Sequence, residues 1–326
     1  MNISSDACVA VIGAGYWGTI LINTLYKLNI NNIYIYDLKN KNLRIIKKRF
    51  PKIIIAQSYS KLLHNKKITS FLFATPPEMN LKLCKNAIKF NKNIFIEKPV
   101  VKNLNQLIKL KKMLYKKKLV FMTGYIYCYN DYINCIKKII KQKKLGKIKY
   151  INFIRKNFGP VRKMVSSDLD LSSHDVSILL YIFGKVMKKI HSCNHSILKK
   201  NINDISNLSY KLGSLKIDIN SSWLYPEKIR TITIIGSKKM LLFDELNIKS
   251  PIKIFSKYAE YPKINFFSEK HFSKKVKMYQ GKSSEIKLKT KPPLINEIEH
   301  FFECIKFNLK PITSINFAEK VIKIIN

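Results

Sequence analysis

A doubly wound parallel α/β sheet followed by an α+β domain with a mostly antiparallel sheet is the fold this sequence predicts. Three observations predict it. Near the N-terminus a buried-strand pattern, a glycine turn and a helix pattern follow one another without a gap. Six short apolar strands then alternate with helix-length segments as far as residue 123. From about residue 186 the helices give way to alternating segments, some joined by two-residue turns. Strands separated by helices build βαβ units, whereas short turns between alternating runs build antiparallel pairs.

The opening pattern is VAVIGAGYWG at residues 9–18. Small and β-branched residues run directly into Gly13, Gly15, Tyr16, Trp17 and Gly18, and Leu21, Leu25 and Leu28 mark one stripe of a helix. In this strand–turn–helix context the spacing suits a dinucleotide. Gly13 allows the tight turn, Gly15 lets backbone approach a pyrophosphate, and Gly18 lets the helix lie close to the strand. The free N–H groups of the helix start then face the phosphates. The next strand, residues 32–37, ends in Asp37. A carboxylate there accepts from both ribose hydroxyls of an adenosine and repels a 2′-phosphate. Asp37 therefore favours NAD over NADP, with Lys39 pulling the other way.

Further strands are expected at 52–55, 69–74, 93–97 and 119–123, with helices around 17–28, 40–49, 59–64, 78–90 and 104–118. Ligands of open α/β sheets lie beyond the carboxyl ends of the strands. Two such ends carry chemistry. One continues as Thr75-Pro76-Pro77-Glu78, so Thr75 and Pro76 should border the dinucleotide. The other continues as Glu97-Lys98-Pro99. A following proline restricts Lys98 and permits a cis bond. On composition alone Lys98 could equally be one more surface lysine.

Beyond 123 a helix is expected at 131–144, a strand at 147–156 and a helix from about 169 that stops at Gly184. Strands follow at 205–213, 215–224, 228–236 and 240–245, then an unplaced stretch at 258–283 and two helices near 295–308 and 316–325. On the helix from about 169 to Gly184, Asp170 and His174 are four apart, which puts both on one face. A carboxylate beside an imidazole suits a general base. The same residues with Asp168, Ser172 and Ser173 also suit an N-terminal cap. No histidine, cysteine or carboxylate cluster has metal-ligand spacing, so no metal is expected.

Composition excludes several classes. The formal charge is +41, yet only five of the 61 basic residues are arginine and the lysines are spread evenly. Proteins that grip phosphates or read bases rely on arginine, so the lysines read as solvated faces and no specific nucleic acid is expected. No apolar run approaches a membrane span. The start MNISSDAC lacks a basic segment followed by an apolar one, and six scattered cysteines form no paired motif. A cytoplasmic protein with reduced thiols is the expectation.

The residues quoted so far resemble the glucose–fructose oxidoreductase, inositol dehydrogenase and rhizopine-catabolism (Gfo/Idh/MocA) family. The signposts span nearly the whole chain: VAVIGAGYWG, the acidic end at Asp37, ATPPE at 74–78, IEKP at 96–99, LGKI at 145–148 and DLSSHD at 170–175. The resemblance implies a Rossmann NAD(P)-binding domain over 1–123 and a substrate-binding and oligomerisation domain over 124–326. It implies that Lys98, Asp170 and His174 surround the hydroxyl being oxidised, with Lys98 steadying the oxygen and His174 taking the proton, or the reverse. It implies Glu97 beside the cofactor, and Arg155, Asn157 and Arg162 facing substrate. RKNFGPVR at 155–162 and SSWLYPEK at 221–228 look like the branch acting on sugar nucleotides and inositols. The expected reaction is hydride transfer between NAD and C3 of a UDP-N-acetyl sugar or its uronate. Inositol 2-dehydrogenation, keto-sugar reduction and dinucleotide binding without turnover are the alternatives. Dimers or tetramers are also implied. Cys128, in GYIYCYN, departs from the basic or bulky apolar residue that many members carry there.

Overall fold

The computed structural model describes residues 7–162, 165–260 and 276–325. The chain divides into two compact units. The first comprises residues 1–130 with 291–324, and the second essentially 131–290.

The first unit is built on a six-stranded sheet of β1 (Cys8–Ile12), β2 (Asn32–Tyr36), β3 (Ile54–Ile55), β4 (Ser70–Phe73), β5 (Asn93–Glu97) and β6 (Phe121–Gly124). The spatial order is β3-β2-β1-β4-β5-β6 and every pairing is parallel. Order reverses between β1 and β4, which opens the crevice where such sheets bind ligands. Helices α1 (Tyr16–Lys27), α2 (Asn40–Arg49), α3 (Tyr59–His64), α4 (Pro77–Lys89) and α5 (Leu104–Leu114) connect the strands. The central strands are buried on both faces: Val9, Ala10, Val11, Phe71, Leu72 and Phe73 have no exposed surface. That burial is why they read as continuous apolar runs rather than alternations. The expected strands and helices of this half are all present, with ends shifted by a few residues.

The sequence reading joins everything after 123 into one second domain. In the structure residues 291–324 fold with the first unit. Helix α8 (Pro293–Phe307) sets Phe301 against Phe95 of β5, with ring centroids 6.0 Å apart. Helix α9 (Ile315–Ile325) sets Phe317 edge-on to Tyr125 and ties Glu319 to Lys111 of α5. Between them the chain runs beside β6, where Thr123 donates its N–H to the Thr313 carbonyl.

The second unit carries α6 (Asp131–Lys141), a π turn (Asp168–Ser172), α7 (Ser173–Phe183) and an eight-stranded sheet. Its strands are β7 (Ile148–Phe158), β8 (Lys188–His195), β9 (Ile205–Leu212), β10 (Leu215–Ser222), β11 (Leu224–Gly236), β12 (Met240–Asp244), β13 (Ile252–Glu260) and β14 (Lys277–Ile286). The order is β14-β13-β12-β11-β7-β10-β9-β8, and β7–β10 is the one parallel pairing among the described residues. Alternate residues Ile151, Phe153 and Arg155 of β7 are buried, and α7 buries Val176, Ile178, Leu179 and Leu180. The unplaced stretch 258–283 contributes the end of β13 and the start of β14, and its middle, 261–275, lies outside the described residues.

Candidate active site

In the first unit the glycine turn has the geometry its spacing implies. Gly13 has φ +99°, and a Cβ there would lie 2.7 Å from the Ala74 carbonyl oxygen. A Cβ on Gly18 would lie 1.9 Å from the Gly13 carbonyl oxygen, so only glycine lets α1 start this close to the turn. Gly15 is different. It is the N-cap of α1, and a Cβ there would meet nothing within 4 Å. The first turn of α1 has no side-chain cap and no acidic residue. Open space lies beside Gly15 at this helix start, flanked by the exposed Tyr16 and Trp17.

Asp37 stands at the end of β2, and its carboxylate is fixed by three donors. Ala14 N–H donates to Oδ2 at 2.6 Å, Lys39 N–H to Oδ1 at 2.7 Å, and the Asn42 amide to Oδ2 at 3.3 Å. The second glycine-turn strap comes from Gly13 N–H, which donates to the Tyr36 carbonyl at 2.8 Å. Turn and carboxylate are thereby one rigid piece. The open cradle at Gly15 and the anchored carboxylate fit the pyrophosphate and adenosine ribose of an NAD.

Two further strand ends complete this edge. The Thr75 hydroxyl donates to Asn80 Oδ1 at 2.5 Å, and the buried Asn80 amide donates to the Val100 carbonyl at 2.9 Å. Asn80 thus ties the loop after β4, with Thr75 and Pro76, to the segment that follows Lys98-Pro99, whose peptide bond is cis. Motif reading had no signal for Asn80 beyond its place in the first turn of α4. Glu97 ends β5 directly opposite Gly124 of β6. Burial pushes its carboxyl up to about 7, against the pull of Lys98. Lys98 itself is half-buried.

The second unit gathers the remaining expected residues around β7 and the π turn. Arg155 and Asp175 form a buried ion pair, with Nε and Nη2 donating to the carboxylate at 2.6–3.1 Å. Asp175 is raised from its ordinary value by desolvation, with Arg155 pulling the other way. Arg155 is only 5% exposed, so its guanidinium is engaged inside this unit. Asn157, near the end of β7, accepts from Nη2 of Arg230, a cation on β11 that motif reading did not single out. Arg162 is about half exposed and its Nε donates to Asp170 Oδ2 at 2.9 Å. The expected α-helix from 169 begins instead as the π turn, whose wider spacing carries Asp170. His174 sits half-buried in the first turn of α7, and the Ser177 hydroxyl donates to its carbonyl at 2.6 Å. Among the described residues no three histidine, cysteine or carboxylate side chains converge to hold a metal ion.

Residues 8–125 match the family model described as an oxidoreductase family with an NAD-binding Rossmann fold, GFO_IDH_MocA. Over that stretch the chain is similar to the NAD-binding domain of the Gfo/Idh/MocA oxidoreductases. The chain is an oxidoreductase with an NAD-binding fold. Among the relatives it resembles, the myo-inositol 2-dehydrogenase of Thermotoga maritima is 21% identical over 254 residues, covering 73% of this chain and 75% of the relative. The solved UDP-N-acetylglucosamine 3-dehydrogenase GnnA of Acidithiobacillus ferrooxidans shares the fold with a TM-score of 0.76 at 16% identity, over 97% of this chain and 94% of that one. GenD2 from gentamicin A biosynthesis, solved in complex with NAD, superposes with a TM-score of 0.78 at 14% identity, over 98% of this chain and 92% of that one. No described helix of this chain is long and apolar enough to cross a membrane.

Proposed function

We propose that the protein oxidises a secondary hydroxyl of a sugar or sugar nucleotide with NAD, and that C3 of a UDP-linked N-acetyl sugar or its uronate is the preferred position. The observation that carries this reading is the edge of the first sheet, where the glycine turn, Asp37, Thr75 and Lys98 all stand at carboxyl ends of strands. NAD supplies the hydride acceptor at its nicotinamide. Gly13, Gly15 and Gly18 shape the pyrophosphate cradle, Asp37 holds the ribose, and Thr75, Pro76 and Glu97 border the cofactor.

Lys98 donates a hydrogen bond to the substrate oxygen and steadies its growing negative charge. His174 takes the hydroxyl proton, with Asp170 orienting the ring; the two roles can also run with Lys98 as the base. Asn157 and Arg162 provide polar contacts for the substrate's anionic part, a task for which arginine suits a diphosphate or a uronate carboxylate. Arg155 supports that surface from beneath, through Asp175. The Thermotoga relative's name favours myo-inositol as the second substrate to try. Dimers or tetramers through the exposed face of the second sheet belong to the same reading, as does a place in the cytoplasm.

NADH formation on a panel of UDP-sugars and inositols tests the assignment. Turnover on a UDP-N-acetyl sugar is expected, and Lys98→Ala should lower kcat about a hundredfold or more, as loss of an oxyanion donor does. Near-normal turnover in that variant removes Lys98 from the chemistry. NADH binding without turnover on any member of the panel points to a non-catalytic role.

A further inference from the structure

Beneath the Lys98 strand end lies a second carboxyl group that motif reading passes over. Glu297, on α8, has no exposed surface, and neither of its oxygens meets a hydrogen-bond donor among the described residues. An ionised carboxylate in that position would be left uncompensated, which is costly. Packing shows what faces it. Phe95 and Glu97 alternate along β5 and share a face, while Glu297 and Phe301 are four apart on α8 and share another. The Phe95–Phe301 ring contact sets these two faces against each other. Gly124 leaves the space for it: a Cβ there would lie 2.8 Å from Glu97 Oε2 and 3.2 Å from Oε1. The Glu97 carboxyl accepts the Lys98 backbone N–H, and Glu97 acts electrostatically on Glu297.

We propose that Glu97 and Glu297 hold one proton between them, Glu297 supplying the O–H and Glu97 keeping the charge, and that this single charge positions Lys98 for its work on the substrate oxygen. The second half rests on the reading of Lys98 given above. Two carboxyls in one buried site cannot both ionise. Glu297 is pushed well above its ordinary value by burial first and by Glu97 second. The other groups around the pair do not replace its proton. Tyr129, from the 3-10 turn at Ile126–Tyr129, is itself raised by burial and by Glu297, and its hydroxyl pairs with Thr313 Oγ1 at 2.9 Å. Burial raises Tyr125, with Cys128 adding to it. On α8, burial lowers His300 while Glu303 opposes that shift. Lys98 is a cation that acts on Glu97. Glu297 is thus a positioning residue that acts through Glu97.

Infrared spectroscopy of the whole protein reads the proton directly. The carbonyl stretch of a protonated carboxylic acid is expected at roughly pH 8.5, above the Glu97 value of about 7, and it should vanish in Glu297→Gln. Absence of that band from the unsubstituted protein overturns the proposal, as does its persistence in both Glu297→Gln and Glu97→Gln. Kinetics give the second reading. Glu297→Leu removes the donor, so Glu97 should capture a proton at higher pH, and the acid limb of the kcat–pH profile should move up by about one to two pH units, the equivalent of one hydrogen bond to a charged group. Glu297→Gln, whose amide N–H replaces the donation, should recover most of the shift. Equal loss in both variants with an unmoved limb marks a merely structural residue and overturns the proposal. If instead Lys98→Ala keeps its turnover while the infrared band behaves as expected, the Lys98 reading fails and the shared proton stands.

Discussion

Arg155 can serve in either of two ways, and a single perturbation separates them. A substrate contact must be free to meet the substrate. Here the guanidinium is 5% exposed and forked onto Asp175, which is 1% exposed. Asp175→Asn keeps the shape of α7 and removes the charge onto which Arg155 is forked. Breaking one partner of such a pair costs about 3–5 kcal/mol. For a domain of this size each kcal/mol moves Tm by roughly 2–4 °C, so a fall of roughly 10 °C is expected. Thermal unfolding followed by circular dichroism, with KM for the best substrate measured below the transition, is the assay. Replacing both partners, Arg155→Met with Asp175→Leu, should return much of the lost stability, because matched apolar groups avoid the desolvation of both charges. A Tm within about 2 °C of the parent in Asp175→Asn, together with a KM raised about tenfold or more in Arg155→Lys, would refute the clamp and restore Arg155 to the substrate.

Three further outcomes follow from the first unit. Gly18→Ala puts a Cβ 1.9 Å from the Gly13 carbonyl oxygen, so α1 must move off the turn; NADH fluorescence titration should show binding weakened beyond measurement, and normal affinity would mean the turn is not the cradle. Asp37→Asn removes a charge that three N–H donors hold in place; the loss of a charged hydrogen bond should weaken NAD by about tenfold or more and narrow the preference over NADP, read from kcat/KM with each. The folded-state value of Glu97 is about 7 against 4.5 for a free glutamate, so the folded protein holds the extra proton. The stabilisation from Glu97 is complete below about pH 4.5 and declines as pH rises through 7, by about 3 kcal/mol in all. Denaturant midpoints across that window should fall less steeply in Glu97→Gln; an identical slope would place Glu97 in water.

The sequence was most legible where a residue's role is set by its immediate neighbours. Gly13 and Gly18 are dictated by contacts within one turn and the adjoining strand, so spacing alone exposes them. The same holds for Asp37, whose donors at Ala14, Lys39 and Asn42 sit at the glycine turn and around the start of α2. Long-range contacts left no such trace. Nothing near Phe301 in the sequence announces Phe95, and nothing near Thr313 announces Thr123, so the return of 291–324 to the first unit was invisible. The π turn at Asp168–Ser172 was equally hidden, because its residues fit an α-helix start. Arg155 illustrates a third kind of gap. Its position in RKNFGPVR pointed to substrate, but only the fold reveals Asp175 within reach of its guanidinium.

The scarcity of acidic residues sharpens what the buried ones mean. The chain has 20 carboxylate side chains against 61 basic residues, so solvent-facing lysine is the default and says little. A lysine acquires meaning through its address. Lys92 shows the contrast: it is buried, but its ammonium donates to the carbonyls of Asn65 and Ile68 and is consumed in structure. Lys98 stands instead at a strand end beside a half-buried carboxyl. Acids are the more informative set. Asp204 accepts the Trp223 indole and two backbone N–H groups, which braces the second sheet; Asp175 holds Arg155; Asp37 is tied to the glycine turn. In each case a buried or half-buried carboxylate has donors that explain its charge. Glu297 lacks them, and the physical alternatives to an uncompensated charge are protonation or exclusion from the core. Its position on the inner face of α8, opposite the strand that ends in Glu97 and Lys98, makes protonation the consistent outcome and ties the C-terminal helix to the chemistry of a motif two hundred residues away in the chain.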